Sequence, residues 1–252
     1  MRHTGLLAIC AVFTGLCAAG CGGGSGGNSS PAAVNGIWTG TFLQTRAAGD
    51  TYMLQVEFFQ RGTTLNGTSV VRGVTDASVG TLTGTLNGNQ MTASVADGSG
   101  NTVRLSALVS GSAITGTYTS IVRSNYPPGT GGAAGTFTLT RSAGVTTPNI
   151  AAITRSWGGD YLPGGSDQSL ELQFTQNRND LSFTGTTGSS GIGVVGGSHF
   201  TGYGAIIGNN VTLIAYGPAT TYFFGTYNGA IIGGSLRDTQ GKTGQFQVAP
   251  PQ

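Results

Sequence analysis

From Gly36 onward apolar and polar residues alternate with period two, and no long stretch carries the i, i+3, i+4 spacing of a helix. In 52–60, Leu54, Val56 and Phe58 share one face while Gln55 and Glu57 share the other. In 103–109, Val103, Leu105, Ala107 and Val109 oppose Arg104 and Ser106, and in 135–141, Phe137 and Leu139 oppose Thr136, Thr138 and Thr140. Successive side chains of a strand point to opposite faces, so each run reads as a half-buried strand. Turn signals such as Arg61-Gly62, Asn87-Gly88-Asn89 and Ser110-Gly111-Ser112 punctuate them. The spacing predicts eight strands near 36–44, 52–60, 64–72, 79–87, 90–96, 102–109, 113–122 and 135–141. Eight sequential antiparallel strands with short turns suit an up-and-down meander that removes its edges by closing into a barrel.

The second half repeats the first. Trp38-Thr39-Gly40-Thr41-Phe42 is echoed by Trp157-Gly158-Gly159-Asp160-Tyr161 at an offset of 119, and Leu54, Val56, Phe58 and Gln60 by Leu170, Leu172, Phe174 and Gln176 at 116. Leu65-Asn66-Gly67-Thr68 corresponds to Phe183-Thr184-Gly185-Thr186 at 118, and Gly135-Thr136-Phe137 to Gly244-Gln245-Phe246 at 109. The expectation is all-β, with two tandem eight-stranded antiparallel up-and-down barrels over 35–142 and 155–250, joined by a Pro148-containing linker over 143–154. The rival architecture is a single sixteen-stranded outer-membrane barrel with apolar residues facing lipid.

Composition narrows the chemistry. Charged residues make up 8% of the chain against about 25% in an ordinary domain. The net charge is +2, the only lysine is Lys242, and the arginines are spread singly, which excludes a phosphate-backbone reader of nucleic acid. General acid–base catalysis and metal binding need convergent His, Asp, Glu or Cys. Beyond the first 20 residues there is one histidine, His199, and no acid nearer to it in sequence than Asp180. Glu57 and Glu171 fall on polar strand faces, where solvation is the default. Gly191-Ile192-Gly193-Val194-Val195-Gly196 matches a dinucleotide fingerprint in letters, but it lacks both the following helix and the acid about 20 residues on. The reading is a protein that is no enzyme, with no metal and no cofactor.

The N-terminus carries location. Arg2, an apolar run over 5–16 and small residues over 17–20 read as an export signal, too short for the roughly 20 residues of a permanent span. Leu16-Cys17-Ala18-Ala19-Gly20-Cys21 resembles a bacterial lipobox. The resemblance implies cleavage after residue 20, acylation of Cys21, a flexible Gly/Ser tether over 21–34 and, with Gly22 and no Asp next to the cysteine, residence at the outer membrane of the cell envelope. Cys10 and Cys17 leave with the signal, so no pair remains for a disulfide.

Gly36-Ile37-Trp38 heading a first strand, with Arg141 ending an eighth, resembles the calycin pattern of lipocalin-like and avidin-like barrels. In that group the tryptophan lies across the closed end and an arginine stacks on it, which implies a plug of Trp38 and Arg141. The second repeat has Arg155-Ser156-Trp157 at its head and no arginine at its tail, so either Arg155 takes over as the plug partner of Trp157 or the second barrel has no plug. Trp38 and Trp157 are the only tryptophans, so the tryptophans that line a biotin pocket are absent. The least expected apolar surface is 211–227, where Tyr216, Tyr222, Phe223, Phe224 and Tyr227 put rings on both faces; it is either covered by the other barrel or a binding surface. The functional expectation is a non-catalytic binding module held at the membrane by a lipid anchor. Its candidate partners are a small apolar ligand in a barrel or, alternatively, an envelope protein contacted in the manner of a protease inhibitor.

Overall fold

The computed structural model describes residues 32–44, 51–73, 76–98, 100–121, 134–143, 153–163, 168–188, 199–217 and 219–251. The signal and lipobox, Cys21, the Gly191–Gly196 motif and most of the linker lie outside the described residues. Sixteen strands follow in order: β1 (Gly36–Gln44), β2 (Thr51–Arg61), β3 (Thr64–Arg72), β4 (Ala77–Asn87), β5 (Gln90–Asp97), β6 (Thr102–Ser110), β7 (Ala113–Ile121), β8 (Ala134–Arg141), β9 (Ser156–Pro163), β10 (Gln168–Asn177), β11 (Asp180–Thr187), β12 (His199–Ile207), β13 (Asn210–Tyr216), β14 (Thr221–Tyr227), β15 (Ile232–Asp238) and β16 (Thr243–Ala249).

Each strand pairs antiparallel with its neighbour, and two closed barrels result, β1–β8 and β9–β16. The first shuts where Trp38 faces Arg141 across β1 and β8, the second where Tyr161 faces Phe246 across β9 and β16. This corrects the sixteen-stranded alternative, because β1 pairs with β8 and leaves no edge on which a ninth strand could add.

The alternation assigns the inner face as expected. Leu54, Val56, Phe58, Phe137 and Leu139 lie in one apolar core with Trp38. Leu170, Leu172, Phe174, Phe183, Phe200, Phe223 and Phe246 fill the other around Trp157. The two registers coincide: Trp38 faces Val56 as Trp157 faces Leu172. High curvature brings neighbouring backbones too close for a side chain at some inner positions. A Cβ on Gly40 would stand 1.8 Å from the Thr138 carbonyl oxygen, and one on the corresponding Gly159 2.0 Å from that of Gln247. Part of the glycine enrichment is therefore a packing requirement of narrow barrels.

The barrels lie side by side. The outer faces of β1, β3 and β4 supply Ile37, Val70 and Val79, those of β12 and β13 supply Ala205, Ile207 and Ile214, and together they form a third apolar cluster with Tyr203 and Tyr222 against it.

Candidate functional site

At one end each barrel is stoppered, and the two stoppers match group by group. Trp38 is fully buried, meets Phe58 edge-on at 6.5 Å, and donates from Nε1 to the Val34 carbonyl at 2.8 Å. Trp157 does the same with Phe174 at 6.4 Å and the Ile153 carbonyl at 3.0 Å. The chain entering each barrel is clamped by a glutamine: Val34 N donates to Gln60 Oε1 and Ile153 N to Gln176 Oε1, each at 2.9 Å. Arg141 lies 5.0 Å over the Trp38 ring, and Arg155 5.3 Å over that of Trp157. The arginine thus comes from the last strand in one copy and from the entry of the first strand in the other. Register puts Gly158 beside Ala249, so Pro250 follows where the first copy has Arg141.

The turn after β10 has become a docking element. Its counterpart in the first barrel is Gly62, at φ +58°; in the second the same place holds Arg178, the one non-glycine residue with positive φ among the described residues, at +55°. Non-glycine residues adopt this conformation at some expense. Its guanidinium lies 5.5 Å over Phe59 of the first barrel. The following Asn179 donates from Nδ2 to Glu57 Oε2, while Asp180 accepts from Thr68 Oγ1 at 2.6 Å and Thr81 Oγ1 at 2.9 Å. Glu57, expected on a solvated face, is fully buried in this seam. Outward-facing and exposed are different properties, and the second barrel covers this part of β2.

Five rings were candidates for one surface, and period two divides them. Phe223 points into the second core, 5.1 Å from Phe246, and Tyr227 meets Trp157 at 6.0 Å. Tyr222 and Phe224 face outward with their rings stacked at 6.4 Å; Tyr222 packs against the seam cluster, and Arg72 lies 4.0 Å over Phe224. Tyr216 alone is largely exposed, at 40%. These residues do not form one binding surface; packing of barrel on barrel accounts for the outward pair.

The end of the first barrel opposite Trp38 is different. Tyr52, Val71, Val95 and Val103 pack against the core there yet stay only partly buried, and beneath them is a void of 40 Å³ lined by Phe42, Leu54, Val71, Val95, Val103 and Leu105. Among the described residues the second core has only one such partly buried apolar neighbour, Tyr227, and that sits at its stoppered end. A void needs about 10–15 Å³ to take one water-sized group, so this one holds a few non-hydrogen atoms. The carboxylate at its rim is spoken for: Asp97 Oδ1 and Oδ2 accept from Asn101 N at 2.8 Å and Asn101 Nδ2 at 3.0 Å. Burial, reinforced by Tyr52, pushes the Tyr118 phenol above its ordinary value, so this ring beside Phe42 stays neutral.

A second concavity, of 470 Å³, lies on the outer wall of the second barrel. Cross-strand pairing sets Glu171, Thr186 and His199 in one row, with Ser156 and Gln173 alongside and Pro250-Pro251 forming a wall. Sequence separation concealed this row. The His199 side chain has no hydrogen-bond partner among the described residues, and no group of three metal-ligating side chains occurs among them, so no described residue orients the imidazole for proton transfer.

No family model matches the chain, and no curated protein matches it. Among solved structures it is similar to the crystal structure of Rv2717c from M. tuberculosis, at 12% identity over 86% of this chain and 92% of that one, with a TM-score of 0.23.

Proposed function

We propose that the protein is an exported lipoprotein, acylated at Cys21 and held at the outer membrane, whose first barrel binds a small molecule by a narrow apolar end. The observation that carries the binding role is the partly exposed aliphatic mouth of Val71, Val95 and Val103 above the 40 Å³ void. Ligand sites are mostly apolar concavities with few polar groups, and drug-sized ligands need about 300–1,000 Å³. The interior therefore takes only the tip of a ligand, such as the terminal carbons of an alkyl or acyl chain, and the remainder lies across the mouth. An eight-stranded barrel has room for side chains or one small ligand; the five phenylalanines of the second core use that room, and the first retains part of it.

Native mass spectrometry of the protein purified from its own host tests both halves. The expected result is a chain that begins at acylated Cys21 and carries a dissociable small mass. Val95→Phe fills the void without opening the barrel, so it is expected to abolish that mass and to weaken a fluorescent medium-chain acyl probe at least about tenfold, while the melting temperature holds. An empty wild-type chain, with equal probe binding by Val95→Phe, rejects the binding role.

A further inference from the structure

Where the two outer walls part, β3 of the first barrel and β14 to β16 of the second enclose a groove of 480 Å³ that is separate from both barrel interiors. Its floor is built from two cross-strand rows, Arg237–Thr243 and Phe224–Ser235–Gln245. Its far wall is Arg72, which crosses from the first barrel and lies 4.0 Å over the Phe224 ring. Neither barrel alone contains the groove; docking creates it.

Among the described residues no carboxylate forms an ion pair with the cations of this groove. The Arg237 guanidinium makes no hydrogen bond, ion pair or ring contact with any described residue, and that of Arg72 has only the Phe224 ring. Lys242, which is exposed, directly precedes Thr243 in the chain. Two carboxylates are near in sequence, and neither lines the groove. Asp76 is exposed, with its Oδ1 close against Gly73 of the groove wall, and it forms no ion pair among the described residues. Asp238 is turned into the second barrel, where its Oδ1 accepts from Gln240 N at 2.9 Å and Lys242 N at 2.8 Å. Partial desolvation lowers the Arg72 pKa, although the residue as a whole stays exposed.

We propose that this seam groove binds a phosphate group, held between the guanidinium groups of Arg72 and Arg237 with the Thr243 and Ser235 hydroxyls as further donors. The donors reach inward from three elements, β3, β15 and β16. A tetrahedral oxyanion presents acceptors in those several directions, whereas a carboxylate presents two in one plane. The space beyond one phosphate accommodates an ester substituent, so the source is either a soluble phosphate ester or the headgroup of an anionic lipid.

Calorimetric titration of the purified protein with inorganic phosphate, at ionic strength fixed with chloride, tests the site. Saturable binding is expected, weakened about tenfold or more in Arg237→Gln, with partial recovery in Arg237→Lys. Because the Arg237 guanidinium has no hydrogen bond, ion pair or ring contact among the described residues, the variant is expected to keep the wild-type melting temperature, which separates a lost ligand contact from a loosened seam. Flotation of full-length Cys21→Ser chain with phosphatidylcholine vesicles, with and without phosphatidylglycerol, distinguishes the sources. Recruitment by phosphatidylglycerol that Arg237→Gln abolishes assigns a lipid headgroup; phosphate binding without recruitment assigns a soluble ester. Heats that do not saturate, or that are the same in Arg237→Gln, overturn the proposal.

Discussion

Replacing Trp38 with alanine is expected to destabilise the first barrel by about 3–5 kcal/mol, the range for truncating a large buried aromatic. The indole is fully buried, meets Phe58 edge-on, and provides the hydrogen bond that ties Nε1 to the entering chain at Val34. Its removal opens the stoppered end and leaves the Val34 carbonyl without that donor. Arg141→Gln makes the informative control. The arginine is exposed and sits over the ring at 5.0 Å, so its loss is expected to amount to about 0.5–1 kcal/mol. Differential scanning calorimetry reads both: in Trp38→Ala the first barrel melts early and the second, which has its own stopper in Trp157, persists as a later transition. A loss below about 1 kcal/mol, or a single transition in which both barrels go together, would mean that the indole is not what shuts the first barrel.

The same stopper shows what a sequence of this kind discloses. Alternation placed the first eight strands to within one or two residues, because inward residues must be apolar and the side-chain period of a strand is two. The duplication placed Trp157 at the matching position but left open whether Arg155 replaces Arg141; the structure sets Arg155 over the Trp157 ring. Parity, however, says only which side chains leave the barrel, and not what meets them outside. Glu57 was legible as outward and not as buried; Phe223 and Phe224 are adjacent in sequence and belong to a core and a seam respectively. A signal for the seam was nevertheless present. The two copies share the flanking Phe58, Gln60 and Leu65 (Phe174, Gln176 and Leu181) around the turn after β2 and β10, where Gly62-Thr63-Thr64 is replaced by Arg178-Asn179-Asp180, and a residue other than glycine at a left-handed turn position calls for a compensating contact. The Arg72–Arg237 groove left no such trace, since its walls come from opposite halves of the chain and meet only through docking.

The docking turn also makes the seam sensitive to pH, and Glu57→Gln is expected to remove that sensitivity while strengthening the seam. Glu57 and Asn179 are both fully buried, and their single hydrogen bond leaves two acceptors without a donor, Glu57 Oε1 and Asn179 Oδ1. The charged groups beside them on the docking turn, Arg178 and Asp180, are engaged with Phe59 and with the Thr68 and Thr81 hydroxyls. Burial pushes the Glu57 carboxyl above its ordinary value of 4.5, and the Asn179 hydrogen bond opposes this only in part. An acid with a raised value in the docked state holds its proton more tightly there than in the open state. Its favourable contribution is therefore fully present below pH 4.5 and is lost as pH rises through the raised value, so the seam weakens toward neutrality. The amide of Glu57→Gln carries no charge to bury and brings an N–H donor to the orphaned acceptors. Satisfying one buried polar group is worth about 1–3 kcal/mol, and that is the gain expected at neutral pH. Thermal unfolding of wild type and variant in parallel from pH 4 to pH 8 isolates the effect, because the other carboxylates titrate alike in both. The variant should melt higher at neutral pH, and the difference should shrink as the wild-type carboxyl takes up its proton. A difference that stays constant over this range would show that Glu57 enters and leaves the seam without changing its charge.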